Sequence, residues 1–131
     1  RVFGYAVGVD LTRRDLQAVA KQSGRPWTVS KGFDCSASVS PIHAVERCGH
    51  PAAAEISLDV NGERRQAGST AAMTWPVPEL IAELSRYFEL QAGDLIFTGT
   101  PPGVGPLRRG DRVACRVEGV ASLEFEIAGA G

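Results

Sequence analysis

Apolar residues recur at every second position in three stretches of this chain. Ile56, Leu58 and Val60 alternate with Glu55, Ser57 and Asp59. Val113, Cys115 and Val117 alternate with Arg112, Ala114 and Arg116. Leu123, Phe125 and Ile127 alternate with Glu124 and Glu126. A period of two marks a strand with one buried face, so strands are expected over 55–60, 112–118 and 123–127. Asn61-Gly62 follows the first of them and is a type I′ turn signal, which makes 63–67 its returning partner.

Elsewhere the period lengthens. Leu80, Ile81, Leu84 and Phe88 predict an amphipathic helix over 79–88. Leu16, Val19 and Ala20 form the apolar face of a second helix over 13–22, with Thr12 as N-cap, Asp15 closing a capping box and Gly24 just past the end. Arg14 and Gln17, three positions apart, share its other face. Small apolar residues over 5–9 predict a strand entering Asp10, and 95–98 reads as a buried strand. The stretch from Pro26 to Lys31 reads as extended, 35–41 as irregular, 43–54 as a connection and 68–74 as a polar loop. Strands outnumber helices and several are joined by tight turns, so the fold class is α+β with a mainly β core.

The chain has 131 residues, 44% of them hydrophobic and 22% charged, which suits one globular domain spanning 1–131. A formal net charge of -1, without a basic stripe interleaved with aromatics, argues against a nucleic-acid partner. No apolar run approaches the roughly 20 residues of a membrane helix. Cys35, Cys48 and Cys115 are widely spaced and lack a CxxC pair, which favours a reducing, cytoplasmic setting over a disulfide framework. His43, Cys48 and His50 lack a fourth partner at zinc-site spacing.

Four further features concern chemistry. GTPPGVG, residues 99–105, lacks the Gly-Lys-Ser/Thr ending of a phosphate loop and instead constrains the backbone that presents Thr100. Glu124 and Glu126 have the spacing of a metal pair but fall on the polar side of the last strand. Asp10 ends the first strand beside the polar helix face of Arg14 and Gln17, and Lys31 follows next to Gly32. A carboxylate among cations suits a metal ion and an anionic, oxygen-rich ligand. The same residues also fit a capped surface helix with a solvated polar face.

GYAVGVDLTRRDLQ (4–17), RPWTVSKGFD (25–34), DVNGERRQAGST (59–70) and GDLIFTGTPPGVGPLRRGD (93–111) together resemble the fumarylacetoacetate hydrolase family, in order and spacing. Similarity extends in particular to its smaller bacterial and mitochondrial members. The resemblance implies a mixed β-roll or sandwich with short helices, commonly a homodimer. It implies metal-dependent hydrolysis of a carbon–carbon bond in a β-diketo acid such as fumarylpyruvate or another acylpyruvate, a small-molecule oxo acid, giving pyruvate and a carboxylic acid. Oxaloacetate decarboxylation and dienedioate isomerisation belong to the same family, and a non-catalytic domain that keeps the fold is a further alternative. By resemblance Asp10 is a ligand of Mg²⁺ or Mn²⁺, Arg14 and Gln17 line the substrate pocket, Lys31 faces the substrate as a catalytic residue, and Thr100 binds the substrate's carboxylate end. Family members also carry a Glu-x-Glu metal pair and a His/Glu dyad upstream of the strand at 5–9. The expectation is therefore that 1–131 is the C-terminal part of a longer catalytic domain and is inactive alone.

Overall fold

The computed structural model describes residues 1–128. In chain order its elements are β1 (Gly4–Tyr5), β2 (Gly8–Asp10), α1 (Arg14–Gln22), α2 (Thr28–Lys31), β3 (Ala37–Val39), β4 (His43–Ala44) and α3 (Val45–Cys48). There follow β5 (Glu55–Val60), β6 (Glu63–Ser69), a 3-10 turn (Thr70–Ala72), α4 (Val77–Leu84), β7 (Arg112–Val117) and β8 (Ala121–Glu126). The class is α+β, mainly β with short helices, as the alternation implies.

The three alternating segments and the hairpin partner form one antiparallel sheet in the order β6-β5-β7-β8. Asn61 and Gly62 take φ of 54° and 82°, the doubly positive pair that a type I′ turn requires. β6 runs to Ser69, beyond the expected end, because Gly68 and Ser69 pair with Ile56 and Glu55. It also carries a bulge: Leu58 faces Gln66 while Asp59 faces Arg64, so Arg65 is the extra residue. Val60, Val113, Cys115 and Val120 are buried, with Val7 from the first part of the chain. Ser57, on the polar side of the alternation, is buried too, whereas Ile56 and Leu58 are half-buried. Glu124 and Glu126 are exposed, on the side away from Phe125.

The first third departs further from expectation. The strand at 5–9 is two short strands with different partners: β1 pairs with β4, and β2 with β3. Ser40 makes the break. Its hydroxyl accepts from the Val7 N–H and its own N–H donates to the Val7 carbonyl, replacing ladder bonds at a buried position. β3 lies within the segment read as irregular, and β4 and α3 within the one read as a connection. Elements of two to four residues carry too little periodicity to be legible.

Helix α1 ends as expected, with Arg25 N–H bonded to Ala20 O and Gly24 N–H to Lys21 O, the Schellman pair. Its start differs. The N-cap residue is Arg13, with no side-chain cap. Thr12 Oγ1 instead donates back to Asp10 O at 3.4 Å, so no capping box forms. Val19 is exposed rather than packed. Lys31 ends the helical turn α2, not an extended strand, since Pro26 constrains only the residue before it and the turn begins beyond, at Thr28.

Helix α4 stops at Leu84, and Phe88 is exposed. Residues 95–98 form no strand, and Leu95 and Phe97 are exposed. The segment meets β2 by side-chain packing, the Phe97 ring lying against Gly8, and forms no ladder with it.

Candidate functional site

The apolar face of the sheet is the floor of a cavity of about 510 Å³, within the range of small-ligand sites. Ile56, Leu58 and Cys115 contribute to that floor, which explains why the first two are only half-buried. Asp10, Arg14 and Lys31 line the cavity from the first part of the chain, and Thr100 lines it from the long loop after α4.

Two backbone bonds set the first wall. Leu11 N–H donates to Ser36 O at 2.8 Å, and Arg13 N–H to Ser30 O at 3.0 Å. They fasten the exit of β2 to the residue before β3 and to α2, whose Ser30 is fully buried. Lys31 is the next residue, and its Nζ donates to Asp10 Oδ2 at 2.6 Å. The two side chains are 37% and 46% exposed, so this pair contributes only about 0–1 kcal/mol to stability. Its significance is orientation: an ammonium and a carboxylate are held together at the cavity.

On α1, Arg14 Nη1 donates to Gln17 Oε1 at 3.0 Å, across the shared face that the sequence predicts. Arg14 lines the cavity and Gln17 does not. Gln17 reaches the site only through Arg14. The neighbouring Arg13 guanidinium stacks 4.5 Å over the Phe33 ring, a cation–π contact.

The opposite wall is keyed to β6. Gln66 Nε2 donates to Thr100 Oγ1 at 2.8 Å and to Pro101 O at 2.7 Å. Gly103 has φ +103°, and a Cβ there would lie 2.0 Å from Arg65 O, so only glycine permits this approach. The bulged residue Arg65 and its neighbour Gln66 are thus where the loop docks. Sequence reasoning did not single out Gln66 or Arg65 as site residues. The available signal was a glutamine within a hairpin strand, indistinguishable by pattern from a solvated polar position.

Burial pushes the Cys115 thiol up to about 11, so at neutral pH it stays a protonated, packed thiol. His43, Cys48 and His50 form no metal cluster. Among the described residues no three His, Cys, Asp or Glu side chains gather in one place. The Tyr5 hydroxyl instead bonds His50 Nδ1 at 2.7 Å, and Cys48 Sγ is directed at backbone carbonyls. For a hard divalent ion, Asp10 is a suitable oxygen donor, and it is one donor where such ions take six or more.

The family model described as fumarylacetoacetate (FAA) hydrolase C-terminal matches residues 1–128. The chain is similar to the fumarylpyruvate hydrolase of a Ralstonia species, 44% identical over 96% of this chain and 65% of that protein. It is also similar to the mitochondrial oxaloacetate tautomerase of Mus musculus, 42% identical over 96% of this chain and 57% of the relative. Its fold matches the crystal structure of fumarylpyruvate hydrolase from Pseudomonas aeruginosa in complex with Mn²⁺ and pyruvate. There the TM-score is 0.95 and the identity 47%, over 97% of this chain and 55% of that one. The chain thus spans little more than half the length of these relatives.

Proposed function

The chain belongs to the fumarylacetoacetate hydrolase family, and from that premise we propose that the complete protein hydrolyses a carbon–carbon bond in an acylpyruvate. The products are pyruvate and a carboxylic acid. The observation that carries this reading is the shared cavity of Asp10, Arg14, Lys31 and Thr100, whose first and last members lie 90 positions apart in the chain. A relative of 47% identity whose crystal structure is a complex with Mn²⁺ and pyruvate supports it.

In this reading Asp10 is one ligand of Mg²⁺ or Mn²⁺, and the remaining ligands and the general base belong to a segment outside 1–131. The ion, when bound, supplies Lewis-acid polarisation of the oxygens of a 2-oxo acid. The rest falls to residues of this chain. Lys31 holds a positive charge where the breaking carbon–carbon bond leaves electron density on the pyruvate fragment, and it stabilises that charge as it develops. Arg14 offers a fork of N–H donors to a carboxylate, with Gln17 fixing its orientation. Thr100 offers a hydroxyl to the carboxylate end of the substrate.

A second reading has a specific relative behind it. The oxaloacetate tautomerase of Mus musculus shares this part of the chain, and enol–keto exchange needs the same charge stabilised without water attack. Decarboxylation of oxaloacetate and isomerisation of a dienedioate draw on that stabilisation too. The remaining alternative is a fold kept without catalysis. We place the protein in the cytoplasm, in line with its three free cysteines, and as a homodimer. Tyr87, Phe88 and Leu95 are exposed surface for further protein to cover.

The test uses the complete protein with excess Mg²⁺. Loss of the enol absorbance of acetylpyruvate or fumarylpyruvate, with stoichiometric pyruvate release, is the expected result. Rapid loss of the oxaloacetate enol band without pyruvate, and no acylpyruvate cleavage, would select the tautomerase reading. No turnover of either would leave the non-catalytic one. Residues 1–131 alone should show no turnover, because one carboxylate leaves a divalent ion mostly to water.

A further inference from the structure

We propose that Gln66 is a positioning residue that turns the Thr100 hydroxyl into a hydrogen-bond donor for the carboxylate of the bound 2-oxo acid. The inference rests on the reading of Thr100 given above and extends it to a side chain on the sheet. Three observations carry it. Gln66 is 9% exposed although it is polar, so its hydrogen bonds within the protein decide its orientation. Its Nε2 lies 2.7 Å from Pro101 O and 2.8 Å from Thr100 Oγ1. A carbonyl oxygen can only accept, so the atom facing it is the amide nitrogen and the amide cannot be flipped.

The consequence falls on Thr100. An amide nitrogen has two N–H groups and no acceptor, so Thr100 Oγ1 must accept from it. Among the described residues, the Thr100 hydroxyl makes no other hydrogen bond. Its proton is therefore left to point away from Gln66, and Thr100 is exposed on the cavity side. A hydroxyl without this partner divides its proton among every acceptor and water molecule within reach. Here the Gln66 N–H fills one lone pair, so the proton is kept off that side and is free for an anion in the cavity. The same amide holds Pro101, and Gly103 seats against Arg65 O, so two contacts on adjacent β6 residues fix the loop that carries Thr100. The bulge at Arg65 makes these neighbours available to the loop together.

The test uses the complete protein loaded with Mn²⁺ and pyruvate as the probe, read by calorimetry. Gln66→Glu replaces the donor by an acceptor and calls the Thr100 proton toward itself. Gln66→Leu removes the donor at similar size. Each should weaken pyruvate roughly 10- to 100-fold, the range for a hydrogen bond to a charged group, with the Mn²⁺ affinity unchanged. Thr100→Val should weaken pyruvate comparably, and Thr100→Ser should retain most of the affinity. The decisive arm is Gln66→Leu in the Thr100→Val background, where it should add little, because its effect is exerted through the hydroxyl. Additive losses in the double variant would overturn the proposal, as would Gln66→Glu and Gln66→Leu leaving pyruvate affinity unchanged. If Thr100→Val alone binds pyruvate normally, the carboxylate reading of Thr100 fails as well. Loss of Mn²⁺ affinity in the Gln66 variants would also count against it, because a general disturbance of the site would then explain the result.

Discussion

The four-stranded sheet and the walls of the cavity above it are held by different means. In the sheet, β5, β6, β7 and β8 share ladders broken only by the bulge at Arg65, and Val60, Val113 and Cys115 pack on one side. The walls have almost no ladder. Asp10 and Lys31 are brought together by two backbone bonds and a buried serine, and Thr100 by one glutamine and one close-approaching glycine. Stability is thus concentrated in the sheet, and chemistry in parts whose contacts are few. Substitutions should separate along that line.

The largest effect is expected at the first wall. In the complete protein, Asp10→Ala should remove most metal-dependent activity, and Lys31→Met should lower kcat by roughly 100- to 1,000-fold, the range for one lost electrostatic stabiliser. The change in kcat should exceed the change in KM, since the charge it meets develops during the reaction. The thermal midpoint should hardly move, because an exposed ion pair contributes little. Steady-state kinetics on acetylpyruvate and a melting curve check both halves. A pure KM effect would make Lys31 a binding residue, and a large fall in the midpoint would erase the contrast with the sheet.

The sheet should behave in the opposite sense. Val113 is 1% exposed between Val60 and Phe125. Val113→Ala should cost roughly 1–3 kcal/mol through lost burial and a cavity, read from urea unfolding. KM and kcat should stay near the parent values wherever the protein is folded. Kinetic losses comparable to those of Lys31→Met would mean that the floor shapes the site more closely than its packing implies.

This division also explains what was legible in the sequence. The sheet is encoded locally: each strand carries its own alternation, and Asn61-Gly62 names its turn. Gly24 and the Arg14–Gln17 face of α1 are local signals too, and both are realised. The walls are not local. Ser40 replacing ladder bonds at Val7, Ser30 receiving the Arg13 N–H, and Gln66 receiving the loop are contacts between positions far apart, made by residues that resemble ordinary surface polars. The 95–98 stretch fails for a related reason. Its apolar run satisfies the strand pattern, yet it meets β2 through the Phe97 ring against Gly8 and makes no ladder there. The meeting of Asp10, Lys31 and Thr100 in one cavity follows from their polarity at strand ends and from the family resemblance, and not from periodicity.

Gly103 tests whether the two regions are independent. A Cβ would lie 2.0 Å from Arg65 O at φ +103°, so Gly103→Ala forces either strain of about 1–3 kcal/mol or a shift of the loop. The expected outcome is the shift, with a modest stability loss and weaker pyruvate binding as Thr100 moves. A fall in stability as large as that of Val113→Ala, with binding intact, would show the loop to be part of the structural core.

The smallest expected effect lies at the seam between the regions. Asp111 closes the long loop just before β7. Its Oδ2 accepts from the Arg108 N–H at 2.7 Å, and its Oδ1 from Asn61 Nδ2 at 2.9 Å, in the hairpin turn. The backbone bond from Arg108 first, then the Asn61 amide, holds the carboxyl below its ordinary value of 3.8. A carboxyl more acidic in the folded state favours folding when ionised. Its contribution is therefore complete above the unfolded value and is lost as pH falls through the folded one. The group is exposed, so the contribution is small. Asp111→Ala should lower the urea midpoint slightly at pH 6, and the difference from the parent should shrink as pH drops below about 3.8. A difference that stays constant down to full protonation would mean that Asp111 acts through loop geometry and not through its charge.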